Sequence, residues 1–157
     1  MNLAKNKYLI IARTYLTEHI LCALLTILVY LIFSKDQIST FLTDTSDGFI
    51  KSILVPALAA VLAFLWTFYN KADGKFAVWL QSKGAFTFYL NAFAITVGYE
   101  ILGILFLIIS TAIPNQVLTA FAVYFGFLAL IAFTSFVISV VGLSNLCIAY
   151  FHSKSEK

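Results

Sequence analysis

Charge is what this chain has least of. Asp, Glu, Lys and Arg make up 11% of its 157 residues, against about a quarter in a soluble domain. Long polar stretches are scarce for the same reason. Once four apolar runs are set aside, no polar segment exceeds about fifteen residues, too few for a separate soluble domain. Any catalytic or nucleic-acid-binding module therefore belongs on another chain, and no direct nucleic-acid contact is expected. Cysteine is limited to Cys22 and Cys147, in no CxxC pattern and no Cys/His cluster with zinc spacing, so both read as small packing residues. Glycine-rich phosphate loops, GxSxG, HxxE and DxD are missing too. The pair Glu18-His19 is not HExxH, and adjacent residues on a helix point about 100° apart. A membrane enzyme needs several convergent polar groups near a boundary. On this inventory no catalytic residue, cofactor or metal is expected, and the chain reads as a non-enzyme.

What the chain has instead is apolar length. It is 62% hydrophobic and 17% aromatic, with a mean hydropathy of +0.97, the composition of an integral membrane protein. A hydrocarbon layer roughly 30 Å thick takes about 20 residues of helix at 1.5 Å each. The expected fold is an all-α, four-transmembrane-helix bundle forming one membrane domain over 1–157, with spans at about 15–33, 49–69, 92–113 and 117–143. The fourth apolar run continues to Tyr150 and should tilt or protrude. A basic head with Lys5, Lys7 and Arg13 precedes the first span. Glu18 and His19 follow, then an apolar run to Phe33 without a small-x-small cleavage site, so the first span is expected to be retained.

The connections have distinct characters. Residues 34–48 carry turn and cap residues, with Ile38, Phe41 and Leu42 at the spacing of a short surface helix. In the second span Pro56 predicts a local kink. Ala59 and Ala63 make a small-xxx-small pair suited to close helix contact, within a subunit or between subunits. Residues 70–84 form an amphipathic loop. Lys71, Lys75 and Lys83 surround Phe76, Val78, Trp79 and Leu80, a stretch suited to the headgroup layer and to a cytoplasmic partner. Pro114-Asn115-Gln116 should close an antiparallel hairpin between spans three and four.

Orientation follows from the basic residues. Eight of the ten Lys and Arg residues lie in the head, the 70–84 loop and the tail, leaving Lys35 and Lys51 on the other side. Both termini and the loop are thus expected in the cytoplasm. The net charge of +3 reflects this bias rather than a nucleic-acid footprint.

Within the third span one acid stands alone. An ionised Glu100 in mid-bilayer costs several kcal/mol, so it should be protonated, hydrogen-bonded, or facing water or a partner. Gly98 and Gly103 flank it and would let another helix come close. Tyr99, or Ser135 and Thr134 on the antiparallel fourth span, are the expected hydrogen-bond partners, as is a second copy of Glu100 in a homo-oligomer. Glu18 and His19 read as a polar pair near the inner interface, displaced from the level of Glu100 by on the order of 10 Å.

Three kinds of function are compatible with these residues. One is a membrane anchor or sensor subunit acting through a cytoplasmic partner. Another is a small oligomeric transporter or ion channel with Glu100 in its path, and the third is a membrane immunity or exclusion protein. In length, in its four spans with both ends inside, and in the run of sequence such as the head MNLAKNKYLIIARTYL, the chain resembles the small four-span membrane component of the bacterial Kiwa antiphage defence system. The resemblance implies an oligomer in the bacterial inner membrane that senses phage action at the envelope. It also implies a cytoplasmic, DNA-binding partner that blocks phage propagation.

Overall fold

The computed structural model describes residues 3–113 and 115–155, with side chains described over 15–113 and 115–152. Helix α1 spans Leu3–Ile32, α2 Lys35–Phe49, α3 Val55–Asn70, α4 Lys75–Ser82, α5 Phe86–Ala112 and α6 Gln116–Ser155. Four helical stretches, 15–32, 35–70, 86–112 and 116–152, are long and apolar enough to cross a membrane. The expected turn residue Pro114 and the extreme tail lie outside the described residues. So do the side chains of Lys5, Lys7, Arg13, Lys154 and Lys157.

The head before Tyr15 is expected to form the first turns of the first helix, and α1 does begin at Leu3, which leaves Glu18 and His19 in mid-helix. Other boundaries correct expectations. The polar loop at 34–48 is helix almost throughout. Ser34 starts it with a capping box: its hydroxyl accepts from the Gln37 backbone N–H, and the Gln37 side chain accepts from the Ser34 N–H. This helix is not a separate surface element. It runs through a π-turn at Ile50–Leu54 into α3, with Pro56 in the first turn beyond. Proline lacks an N–H and its ring crowds the carbonyl four residues back, here Ser52, so a widened turn at 50–54 relieves that clash without ending the helix. The apolar residues follow the same logic: Ile38 is buried and Leu42 packs against the core, while Phe41 stays exposed.

The centre of the molecule is the α5–α6 hairpin, with α1 against α6 and the α2–α3 rod against α5. Gly103 sets the closest approach. A Cβ there would lie 3.0 Å from the Ala129 Cβ and 3.1 Å from the Phe125 carbonyl oxygen. Around it Leu54, Leu107, Ala122 and Ala129 form a buried cluster. Further along the hairpin Phe64, Phe93 and Phe136 meet edge-to-face, with centroids 5.3 to 5.7 Å apart. Such pairs add about 0.5–1.5 kcal/mol beyond their burial, and they lock α3, α5 and α6 together. By contrast Ala59 and Ala63 are exposed on the outer face of α3. Their small-xxx-small pair lies outside the intrachain contacts.

Inside the 70–84 segment, α4 folds back on the bundle. Ala77 and Leu80 are buried with Phe86 and Leu143. Phe76 and Trp79 stack on each other at 5.8 Å, and both pack against Tyr150 near the end of α6. At about 60 Å, α6 is twice the thickness of a bilayer core, and α4 covers the protruding end. Gly84, at φ 63°, makes the left-handed turn that ends α4 and starts α5.

Gly103→Ala and Gly98→Ala separate the two glycines. A methyl at 103 meets α6 backbone and should lower unfolding stability in detergent by about 1–3 kcal/mol. A methyl at 98 has nothing within 4 Å and should be neutral or raise stability by up to about 1 kcal/mol. Thermal or denaturant unfolding of the two variants checks this. Equal effects would contradict the close approach at Gly103.

Candidate functional site

Tyr15, Glu18, His19 and Cys22 are spaced i, i+3, i+4 and i+7 on α1, which puts them on one side of the helix. Opposite them on α6, Tyr124, Leu128, Ala132, Ser135 and Ser139 follow each other at four, four, three and four residues, again a single face. The sequence therefore builds two facing polar stripes inside an apolar bundle, and the structure joins them. Ser135 donates its hydroxyl hydrogen to Glu18 Oε1 at 2.7 Å. His19 bridges two phenols, with Nδ1 2.5 Å from the Tyr124 hydroxyl and Nε2 2.9 Å from the Tyr99 hydroxyl on α5. A neutral imidazole has one N–H and one lone pair, so one of these tyrosines accepts and the other donates. Tyr99 meets the imidazole edge-on and Tyr124 lies nearly parallel to it.

Burial divides along the same line. Glu18 is 8% exposed and Cys22 fully buried, whereas Leu16, Leu24 and Leu31 on the other side of α1 are 59% to 78% exposed. Helix α1 is thus held to the hairpin chiefly along its polar stripe. A cavity of about 90 Å³ lies beside the Glu18–Ser135 bond, walled by Tyr15, Thr96, Tyr99, Phe136 and Ser139 among others. A wider, apolar groove runs between α1 and α6 on the far side of Tyr124, with the Lys35 ammonium donating to Gln116 Oε1 at its edge.

Glu100 is where the expected pairing fails. It is completely buried in the stripe Phe93, Thr96, Glu100, Gly103 and Leu107, yet neither carboxylate oxygen has a hydrogen-bond partner among the described residues. The three hydroxyls expected to serve it are engaged elsewhere. Tyr99 bonds His19, Ser135 bonds Glu18, and Thr134 donates to its own helix at the Leu130 carbonyl. Tyr99 and Glu100 diverge by about 100° around α5. The histidine therefore reaches the level of Glu100 on a different side of the helix. This also corrects the placement of the Glu18-His19 pair, which sits level with the middle of the third span. Gly98, half-buried with open space at its Cβ position, is no contact point within the chain, while Gly103 is one.

The remaining candidates lie at the α4 end. Lys71, Lys75 and Lys83 are exposed there, and Phe76 and Trp79 are half-buried against Tyr150. Both cysteines are free thiols. Tyr15, Thr96, Tyr124 and Ser139 went unremarked as site residues in the sequence. Their signal was the shared helical face with Glu18 on α1 and Ser135 on α6. No protein-family model matches the chain, and no curated protein and no solved structure shows significant similarity to it.

An orphaned buried polar group costs about 1–3 kcal/mol. Glu100→Met, similar in volume and apolar, should therefore raise unfolding stability in detergent by about that amount. A loss of stability would show that the carboxyl has a hydrogen-bond partner, such as a second copy of the chain.

Proposed function

We propose that this chain is the membrane-embedded anchor and sensor subunit of an antiphage defence complex in the bacterial inner membrane, and that it acts through a cytoplasmic, DNA-binding partner. The observation that carries this reading is the way α4 is built at one end of the bundle. It is seated on α5 and α6 by Ala77, Leu80, Phe76 and Trp79, and Lys75 at its start, with Lys71 and Lys83 on either side of the helix in sequence, is exposed. The excess of basic residues in this segment, the head and the tail supports a cytoplasmic location for that end and for both termini. A rigidly docked, basic helix at a membrane boundary offers a protein partner a fixed surface beside anionic headgroups. The likeness to the small Kiwa membrane component supports the same assignment and adds homo-oligomerisation, for which the exposed outer faces of α1 and α3 leave ample room.

A sensor also needs a part that can move at small cost. Along residues 15–32 of α1 only Glu18 and Cys22 are buried inside the chain, whereas α5 and α6 bury a larger share of their apolar lengths. Its seating depends on the Glu18 and His19 bonds, and hydrogen bonds between membrane helices average about 0.6 kcal/mol. Displacement of α1 would therefore turn on that short polar stripe, and it would reach the cytoplasmic end directly. Glu100 does not line the cavity beside Glu18, so a conducting path through both acids has less geometric support.

Charge reversal of Lys71, Lys75 and Lys83 to Glu tests the reading. The triple variant should lose a co-purifying DNA-binding protein and phage protection together, while its thermal stability stays near that of the wild type. Undiminished co-purification and protection would count against it.

A further inference from the structure

The cavity between α1, α5 and α6 is lined by oxygens that have already used their hydrogens. Ser135 donates to Glu18. Ser139 donates to the Ser135 carbonyl at 2.8 Å, and Thr96 donates to the Ala92 carbonyl at 3.1 Å. Each of these three aliphatic hydroxyls lining the cavity therefore has only lone pairs left to offer. Beside them is Glu18, an acceptor at both oxygens when ionised. The hydrogens still available at this wall belong to the phenols of Tyr15 and Tyr99, and Tyr99 is engaged with His19. Among the described residues, no lysine, arginine or histidine lines the cavity. The only ion pair found among the described residues is the exposed one between Asp47 and Lys51.

Three hydroxyls with lone pairs to spare beside one carboxylate, in an otherwise largely apolar lining, suit a positive charge. A single carboxylate neutralises a single charge, and no group of three or more His, Cys, Asp or Glu residues gathers among the described residues to hold a more highly charged metal. Hard oxygen donors of this type suit alkali-metal ions. The volume of about 90 Å³ is room for roughly three waters at about 30 Å³ each. It admits a small ion with part of its hydration shell and excludes a bulky organic cation. We propose that this cavity binds a small monovalent cation, of the alkali-metal or ammonium class, against Glu18 with Ser135, Ser139 and Thr96 as neutral oxygen donors. Bound there, the ion ties α1 to α5 and α6 and adds to the stability of the folded bundle.

Thermal unfolding of the purified full-length protein in detergent tests this in the chlorides of sodium, potassium, ammonium or N-methylglucamine at constant ionic strength. The midpoint should rise by roughly 2–8 °C, saturably, in at least one small cation relative to N-methylglucamine. A rise confined to ammonium assigns that class, and a rise with sodium or potassium assigns the alkali metals. In Glu18→Gln the dependence should vanish. If that variant does not fold, Ser139→Ala and Thr96→Val, which keep the Glu18–Ser135 bond, should each shift the half-saturating concentration upward by severalfold. Equal midpoints in all four salts would overturn the proposal. So would a full cation response in Glu18→Gln, or in both hydroxyl variants.

Discussion

Unlike the unpartnered Glu100, Glu18 and His19 meet inside the apolar bundle their need for hydrogen bonds, which the surrounding medium does not supply. That requirement decides how α1 sits. Its apolar residues are as well solvated by lipid tails as by α6, so they give it little reason to prefer one rotation over another. Glu18 and His19 do give it one, since any rotation that takes them off Ser135, Tyr99 and Tyr124 leaves them bare in hydrocarbon. The polar stripe thus specifies the geometry of a helix whose apolar face makes few contacts.

The other helices are fixed by different means. Contact of α5 with α6 comes from shape: a glycine at 103 admits the backbone of α6, and flanking phenylalanines fill the space on either side. The α2–α3 rod is aligned by the edge-to-face rings of Phe64, Phe93 and Phe136. These interactions are numerous and dispersive, so no single one controls them. A hairpin with its rod, and a separate helix held by a short polar stripe, make a two-part architecture.

How much of this could be read from the residues differs by feature. Hydropathy alone was enough for four membrane-length helices, and the turn residues and lysines were enough to find the α4 segment. Helix continuity through 34–54 was not legible, because Ser34 to Gly48 has the polarity of a loop, and nothing local announces that a π-turn will absorb Pro56. Glu100 drew attention as an isolated acid, while the network assembled around Glu18 and His19. The level of that pair is set by its long-range partners, Ser135 and Tyr124 on α6 and Tyr99 on α5, which no local pattern announces. Tyr124 and Ser135 are eleven residues apart, three full turns, and that spacing was the available sign of a shared face.

The seating of α1 by its polar stripe is most directly tested by the distance between spin labels at Leu31 on α1 and Ile138 on α6, both exposed. Cys22 and Cys147 are replaced by alanine, and the protein is placed in lipid nanodiscs. The distribution should be single and narrow with Glu18 and His19 intact. It should become broad or shifted when they are changed to Leu and Phe. A distribution that stays narrow and unmoved in the double variant would contradict the account, showing that apolar packing alone holds α1 in place.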